Sequence, residues 1–378
     1  MLARFSFMTA TEIRFGRGVA NEAADQIAAF GRRVLLVHGA NTTRADWLAN
    51  ALGDRAARFS VSGEPDTDIV QSGVDAARAH CADVVVALGG GAVVDAGKAV
   101  AALAPGASAM LDHLEVVGRG LPLEIAPLPF VAIPTTSGTG AEVTRNAVIA
   151  VPEYARKVSL RDPRMIPDLA LIDPGLTDTC PRGITLASGL DAITQVIEPY
   201  LCTRANPMTD ALCRAAIPRG LAALSRLMQS EDKAARDDMA FVSLSGGLAL
   251  ANAGLGAVHG LAGPLGGLSA APHGAICGAL LPHVMTINER HMTDAGIQSR
   301  VSEIRSWIAD TFGGHPEDAF DRLARWSRKA GLPGLDALKI TANHRAAAAT
   351  AAAASSSMKA NPVPLPSDAL AEAMEYAV

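Results

Sequence analysis

Aromatic rings and charge are both in short supply in this chain. Aromatics account for 4% of the residues, and Asp, Glu, Lys and Arg together for 19%. The net charge is −5 and no basic run interleaves with aromatics, which argues against a nucleic acid or an anionic membrane as partner. Cysteine is scarce as well. Cys81, Cys180, Cys202, Cys213 and Cys277 are odd in number and include no CxxC pair. Reduced, mostly buried thiols in a cytoplasmic protein are therefore expected rather than a disulfide framework. No apolar run reaches the roughly 18–20 residues that span a bilayer. The richest stretch, Gly246 to Leu281, is broken by Gly, Pro and His. The opening residues MLARFSFMTATEIRFG lack the apolar segment of a signal peptide, so neither a leader nor an anchor is expected.

Small and aliphatic residues fill the space that aromatics leave. Hydrophobic residues make up 49% of the chain and glycine contributes 35 positions, a mix suited to close helix–helix and helix–sheet packing. At 378 residues the chain exceeds what one core supports, so two domains are expected. In the first half, the nearly continuous apolar runs RRVLLVHG (32–39), ADVVVALGG (82–90), PFVAIPTT (129–136) and DLALIDPG (168–175) read as strands buried on both faces. Helical patterns at 44–52 and 69–80 lie between the first two, which predicts parallel βαβ units. Beyond Asp178 strands give way to helical segments at 184–202, 207–228, 232–254, 297–312, 316–330 and 366–377. An α/β domain over 1–180 and a helical domain over 181–378 follow, with Ala346–Ser357 a low-complexity stretch that forms at most a short helix.

Two loops follow predicted strands. Gly89-Gly90-Gly91-Ala92-Val93-Val94-Asp95-Ala96-Gly97-Lys98 fits neither GxGxxG nor GxxxxGK[ST]. Its glycines would let a diphosphate approach the following helix N-terminus, where free N–H groups and the dipole favour an anion. The same glycines also suit a plain strand-to-helix turn, with Asp95 and Lys98 as surface residues of the helix. The second loop, Pro134-Thr135-Thr136-Ser137-Gly138-Thr139-Gly140-Ala141-Glu142, can donate hydroxyl hydrogen bonds to phosphate or ribose, or simply cap a helix. Two such loops at strand C-terminal ends favour a nucleotide site.

In the helical half, Asp191 and Gln195 are one helical turn apart. His259 and His273, fourteen residues apart, would lie roughly 21 Å apart on one continuous helix. Gly263-Pro264-Leu265-Gly266-Gly267 and Pro272 are expected to break that helix and turn His273 back toward His259. One carboxylate and two imidazoles would then leave a coordination position open, as a catalytic metal requires. Unrelated histidines, one capping a helix and one in a turn, are the plain alternative.

Taken together, GGGAVVDAGK (89–98), PTTSGTGAEVTRNAVI (134–149), DPRMIPDLALIDPGL (162–176), SGLDAITQVIEPY (188–200) and AVHGLAGPLGGLSAAPHGAICGALLPHVM (257–285) resemble the iron-containing (group III) alcohol dehydrogenase family. The resemblance implies a dehydroquinate synthase-like fold, with an α/β dinucleotide-binding domain followed by an all-α metal-binding domain, and a homodimer. Coenzyme and substrate would meet in the cleft between the domains. It assigns the metal to Asp191, Gln195, His259 and His273. The coenzyme falls to Gly39, Gly90, Gly91, Ala92, Asp95, Thr135, Thr136, Thr139, Thr144 and Lys157. Two departures stand out. Gln195 occupies a position where the family usually has His, which weakens the expected Fe2+ site and brings Zn2+ into consideration. Gly263 stands where many members carry another His beside the substrate.

The expected chemistry is hydride transfer between NAD(P)(H) and a small alcohol, aldehyde or ketone, with Asp191, His259 and His273 as the catalytic set and a metal polarising the oxygen. The first strand ends Val37-His38-Gly39-Ala40-Asn41 with no carboxylate, and Arg44 follows, which leans the coenzyme toward NADP. His283 is either a support for the metal ligands or a cap. Segments 187–201 and 255–283 contain no Lys or Arg, so an uncharged substrate is expected, although Arg145 and Lys157 could reach it. Reduction of an oxoacid, as in maleylacetate reductases, a dehydroquinate-synthase-like lyase reaction and a non-catalytic binding role are the competing readings.

Overall fold

The structure, a computed structural model, describes residues 4–378. The chain forms two compact units: Thr9–Thr136 with Gly140–Asp178, and residues 4–8 and Ser137–Thr139 with Thr179–Val378. The assignment of residues 4–8 to the second unit has a local cause. The Asn252 side-chain amide accepts from Met8 N at 2.5 Å and donates to Met8 O at 2.7 Å, 244 residues away in sequence.

The first unit is built on a parallel sheet. Its strands are β1 (Glu12–Phe15), β2 (Val34–Gly39), β3 (Ala56–Val61), β4 (Val84–Gly89), β5 (Phe130–Pro134) and β8 (Leu169–Ile172). They lie in the order β1-β8-β5-β4-β2-β3, and every pairing is parallel. The remaining two, β6 (Asn146–Val151) and β7 (Arg156–Arg161), form a separate antiparallel hairpin. The helices here are α1 (Ala23–Ile27), α2 (Asp46–Leu52), α3 (Thr67–Ala79), α4 (Gly91–Leu103) and α5 (Met110–His113).

Period-2 alternation divides the sheet residues between two cores. Leu35, Val37, Val85, Ala87 and Ala132 face the α3–α4 side. Val34, Leu36, Val84, Val86, Val131, Ile133, Leu169 and Leu171 face α1 and α2. This two-sided burial is why the four central strands read as unbroken apolar runs. Strands β1 and β3 escaped the same reading. They are edge strands, partly exposed, and carry Glu12, Arg14 and Arg58.

The second unit contains α6 (Arg182–Leu201), α7 (Pro207–Leu227), α8 (Lys233–Asn252), α9 (Ala257–Leu268) and α10 (His273–His291). The chain continues through α11 (Ala295–Phe312), α12 (Ala319–Ala330), α13 (Ala342–Ala352) and α14 (Ser367–Tyr376). Their apolar faces share one core, in which Tyr200 is fully buried. No single described helix is long and apolar enough to cross a membrane.

One expectation about this unit is corrected. The break was placed at Gly263–Gly267 as well as Pro272, but Pro264 lies inside α9 and the helix runs on to Leu268. The real break is short: Ser269 and Pro272 are both extended, and α10 starts immediately after Pro272. Residues 257–262, 265 and 266 are buried, and that packing outweighs the one hydrogen bond Pro264 cannot make.

Helix α4 approaches the sheet closely because Gly97 faces it. A Cβ at Gly97 would come within 2.9 Å of Ala87 Cβ and 3.0 Å of Phe130 Cε2. Gly97→Val is therefore expected to destabilise the fold by about 1–3 kcal/mol. A urea midpoint equal to that of wild type would refute this packing.

Candidate metal centre and the loops of the α/β unit

Helix α6 carries Asp191, Gln195 and Glu198, separated by four and three residues and therefore on one face. All three are buried. His259 is the third residue of α9, and His273 is the first of α10. The short Ser269–Pro272 break reverses the chain enough to bring their ring centroids to 5.4 Å. Both imidazoles point an Nε2 at the same carboxylate oxygen, Asp191 Oδ1, at 3.4 Å from His259 and 3.9 Å from His273. Despite that company Asp191 Oδ1 is buried without a hydrogen-bond partner. An ionised oxygen held dry and unpaired is costly unless a cation completes it.

The other nitrogen of His259 is committed. Nδ1 lies 2.6 Å from Glu198 Oε2, while Glu198 Oε1 accepts from Val258 N at 2.7 Å. This bond places a proton on Nδ1, so Nε2 is the nitrogen that faces Asp191. Asn361 Oδ1 accepts from Ala257 N at 2.9 Å, so two N–H groups at the start of α9 are satisfied by side chains from distant segments. Glu198 was missed as a functional residue in the sequence. Its i+7 spacing from Asp191 was the available signal.

The cluster draws positive charge. Burial opposes charging His273, yet Cys277 and Asp191 raise it to about 9. Burial likewise opposes a charged His259, and Cys277, Glu198 and Asp191 together push it well up. Burial also works against ionising Asp191, but the two imidazoles and Cys277 hold its carboxyl below the usual range. Donor atoms of Asp191, His259, His273 and Cys277 all lie within 4.8 Å of one another. Anionic oxygen, imidazole nitrogen and sulfur are the donor types that hold a divalent transition metal, so the residues present fit one. Cys277 was read in the sequence only as a buried thiol.

Gln195, one turn past Asp191 on α6, has the nitrogen of its amide committed. Its amide nitrogen donates to Gly138 O at 2.6 Å, a bond within the helical unit because Ser137–Thr139 belong there. His283, ten residues past His273 on α10, stands beside Tyr376 rather than in the cluster. A Cβ at Gly263 would meet no atom within 4 Å, so the missing His leaves open space.

In the α/β unit, Gly90 caps α4 and Gly91 and Ala92 form its first turn, with Val93 N and Val94 N bonded to Gly90 O. The α4 N-terminus thus follows β4 directly, as a diphosphate site requires. Thr135 N donates to Gly89 O at 2.9 Å, and a Cβ on Gly90 would lie 3.3 Å from Thr136 Oγ1, so the two loops meet at the strand ends. Gly39 ends β2 nearby in the sheet order. Asp95 Oδ2 accepts from Val148 N at 3.1 Å, and Lys157 Nζ binds Glu64 at 2.8 Å. Thr139 groups with the helical unit.

Two expectations change here. The Thr144 hydroxyl is buried among Lys98 Nζ, at 2.9 Å, and Ala141 O, so it braces the loop instead of facing a ligand. His38 is 2% exposed with Nδ1 against Gly39 O, and Arg58 Nε reaches its Nε2 at 3.4 Å. Asn41 Oδ1 accepts from Thr43. His38 is thus engaged on both ring nitrogens, which weakens the lean toward NADP. Of the readings left open for Lys98, a surface position is excluded: it is 1% exposed, and its ammonium donates to Ala141 O, Thr144 O and Asn146 O as well as Thr144 Oγ1.

Comparison with known proteins agrees with this arrangement. Residues 10–174 match "Iron-containing alcohol dehydrogenase" and residues 185–378 match "Fe-containing alcohol dehydrogenase family, C-terminal". The chain belongs to the iron-containing alcohol dehydrogenase family. Among characterised members, it is 36% identical over 282 residues to lactaldehyde reductase of Escherichia coli K12, covering 72% of this chain and 73% of that one. Alcohol dehydrogenase 4 of Schizosaccharomyces pombe is 33% identical over 299 residues, covering 77% and 69%. Other relatives in this family are matched over less of their length, down to 56% for a Geobacillus thermodenitrificans long-chain-alcohol dehydrogenase. Solved structures align end to end. A 1,3-propanediol oxidoreductase superposes with a TM-score of 0.90 at 27% identity, covering 100% of both chains. Sulfoacetaldehyde reductase from Bifidobacterium kashiwanohense in complex with NAD+ gives 0.86 at 26%, covering 100% and 99%.

The Lys98 clamp has a titratable neighbour in Glu142. Burial raises the Glu142 carboxyl to about 7 from 4.5, against the pull of its own backbone bond and of Lys98. Between those two values the folded protein keeps a proton that the unfolded chain has released, so stability falls as pH rises through that window. Glu142→Gln is expected to flatten this limb of the unfolding midpoint against pH. An unchanged slope would rule out Glu142 as its source.

Proposed function

We propose that this member of the family is a metal-dependent oxidoreductase that transfers a hydride between a nicotinamide dinucleotide and a small, uncharged alcohol, aldehyde or ketone. The observation that carries the reading is the buried, unpartnered Asp191 Oδ1 facing two imidazole nitrogens. Asp191, His259 and His273 would hold the metal. When bound, such an ion supplies Lewis acidity toward an alcohol or carbonyl oxygen. Asp191 provides the anionic donor, and Glu198 fixes the His259 tautomer so that Nε2 is free to donate. The turn at Gly90, Gly91 and Ala92 presents backbone N–H groups for the coenzyme diphosphate, and Thr135 and Thr136 lie beside it. NAD(H) is the favoured coenzyme. The neighbour solved with NAD+ supports it, as does the engaged His38.

The substrate class rests on charge. Segments 187–201 and 255–283, which carry the candidate ligands, hold no Lys or Arg, so an oxoacid would find no guanidinium or ammonium on them. The names of lactaldehyde reductase and 1,3-propanediol oxidoreductase point to small aldehydes and alcohols in related proteins. The sulfoacetaldehyde neighbour is named for an anionic substrate, which makes an anion the necessary control.

The test is elemental analysis of protein purified without chelator, followed by coenzyme oxidation with short aldehydes and with an oxoacid, using NADH and NADPH. Metal-dependent NADH oxidation with the neutral aldehydes is expected, lost on chelation and restored by the metal. Protein that holds no metal and oxidises neither coenzyme would sink the assignment. Glu198→Ala should weaken metal binding by about 10–100-fold while leaving the fold intact, because it frees the His259 ring without removing a ligand. Competition with a chromophoric chelator measures this, and Glu198→Asp should recover part of the loss.

A further inference from the structure

Three side chains, not two, gather around the Asp191 carboxylate. Cys277 follows His273 by one helical turn on α10, so both project from the same face. Its Sγ lies 3.5 Å from His273 Nε2 and is buried. A tetrahedral ion with nitrogen and oxygen donors at about 2.1 Å and sulfur at about 2.3 Å sets donor-to-donor edges of roughly 3.4–3.7 Å. Two edges fall in that range, 3.5 Å from sulfur to His273 and 3.4 Å from Asp191 to His259, and the edge from Asp191 to His273 is slightly longer at 3.9 Å. A thiol–imidazole hydrogen bond would account for the first edge only. It would explain neither the other two nor the unsatisfied carboxylate oxygen.

Gln195 is the weaker candidate for the fourth position. Only its amide NH2 can donate to the Gly138 carbonyl, so that bond fixes the amide's orientation and leaves a neutral oxygen as its sole donor. A thiolate binds borderline and soft divalent ions far better than an amide oxygen does.

We propose that Cys277, as the thiolate, is the fourth protein ligand of the metal site in place of Gln195. The ligand set is then Asp191, His259, His273 and Cys277, which shifts preference from Fe2+ toward Zn2+. This inference rests on the metal-dependent reading above. As the metal–sulfur bond forms, the thiol proton leaves to solvent. Zn2+ tolerates a fifth donor, so four protein ligands do not shut out a substrate oxygen.

The test uses the full chain stripped with chelator and reloaded with Co2+, whose bond to a thiolate gives a near-ultraviolet charge-transfer absorption. Wild type is expected to show that band at one equivalent of Co2+. Cys277→Ser should abolish it and lower Zn2+ affinity by at least about 100-fold, beyond what loss of an orienting partner costs. Cys81→Ser, at the one exposed cysteine, should keep both, and Gln195→Ala should keep the band. Co2+ binding without the band in wild type would overturn the Cys277 assignment and leave the metal-dependent reading intact. This arm needs no variant to fold. A band that persists in Cys277→Ser would also overturn it. No Co2+ or Zn2+ binding by wild type would overturn both readings.

Discussion

A buried carboxylate oxygen that nothing in the protein satisfies organises the helical unit. Asp191 Oδ1 lies dry and unpartnered, with two imidazole nitrogens at 3.4 and 3.9 Å. Leaving such a group unpaired costs free energy that ordinary packing would eliminate, so its retention implies a cation that the rest of the site is arranged to receive. The surrounding bonds follow from holding that arrangement still. Glu198, two turns from Asp191 on the same face of α6, grips both Val258 N and His259 Nδ1. Asn361 takes Ala257 N and is itself held by Asn288, whose Oδ1 accepts from Asn361 Nδ2 at 2.7 Å. The start of α9 is thereby fixed by side chains from α6 and from a segment about a hundred residues downstream. The His259 ring cannot rotate without breaking a buried charge-assisted bond.

The α/β unit solves a different problem with the same economy. Its glycine turn must present backbone N–H groups without side chains in the way, and the neighbouring loop must keep its shape without regular secondary structure. Lys98 does the second job. One buried ammonium reaches three backbone carbonyls and a hydroxyl across residues 141–146. Burial lowers its pKa to about 8, with Asp95 and Glu142 resisting the drop. A buried Lys is expensive, and here its cost is offset by four bonds to oxygens of the loop and of the start of β6.

Much of this was legible from residue order. Strands buried on both faces announce themselves as unbroken aliphatic runs, and β2, β4, β5 and β8 were found for that reason. Edge strands β1 and β3 carry charge and read as loop. Asp191, His259 and His273 were recoverable because their helices are punctuated, although the break falls at 269–272 and Pro264 sits within a helix. Glu198 and Cys277 were not singled out, since their significance depends on partners 61 and 86 residues away from Glu198 and Cys277 respectively. Local spacing hinted at both: i+7 from Asp191 and i+4 from His273. The lean toward NADP, which His38 does not support, has the same origin. A side chain at a strand end is informative only when its exposure is known, and His38 is buried.

Charge ties the metal reading to the choice of substrate. The site gathers two carboxylates, Asp191 and Glu198, and the bonds described for Glu198 come from an imidazole and a backbone N–H rather than from Lys or Arg. Such a field attracts a divalent cation. A coordinated thiolate from Cys277 would strengthen that bias, because it adds a negative donor where a Gln amide adds none. An uncharged carbonyl or hydroxyl enters this field at little electrostatic cost. An anionic substrate would need a basic side chain placed against it, and the two segments that hold the candidate ligands supply none. The attraction for a cation thus rests on the carboxylates of α6, and the proposed preference for an uncharged substrate rests on the absence of Lys and Arg from the two ligand-bearing segments.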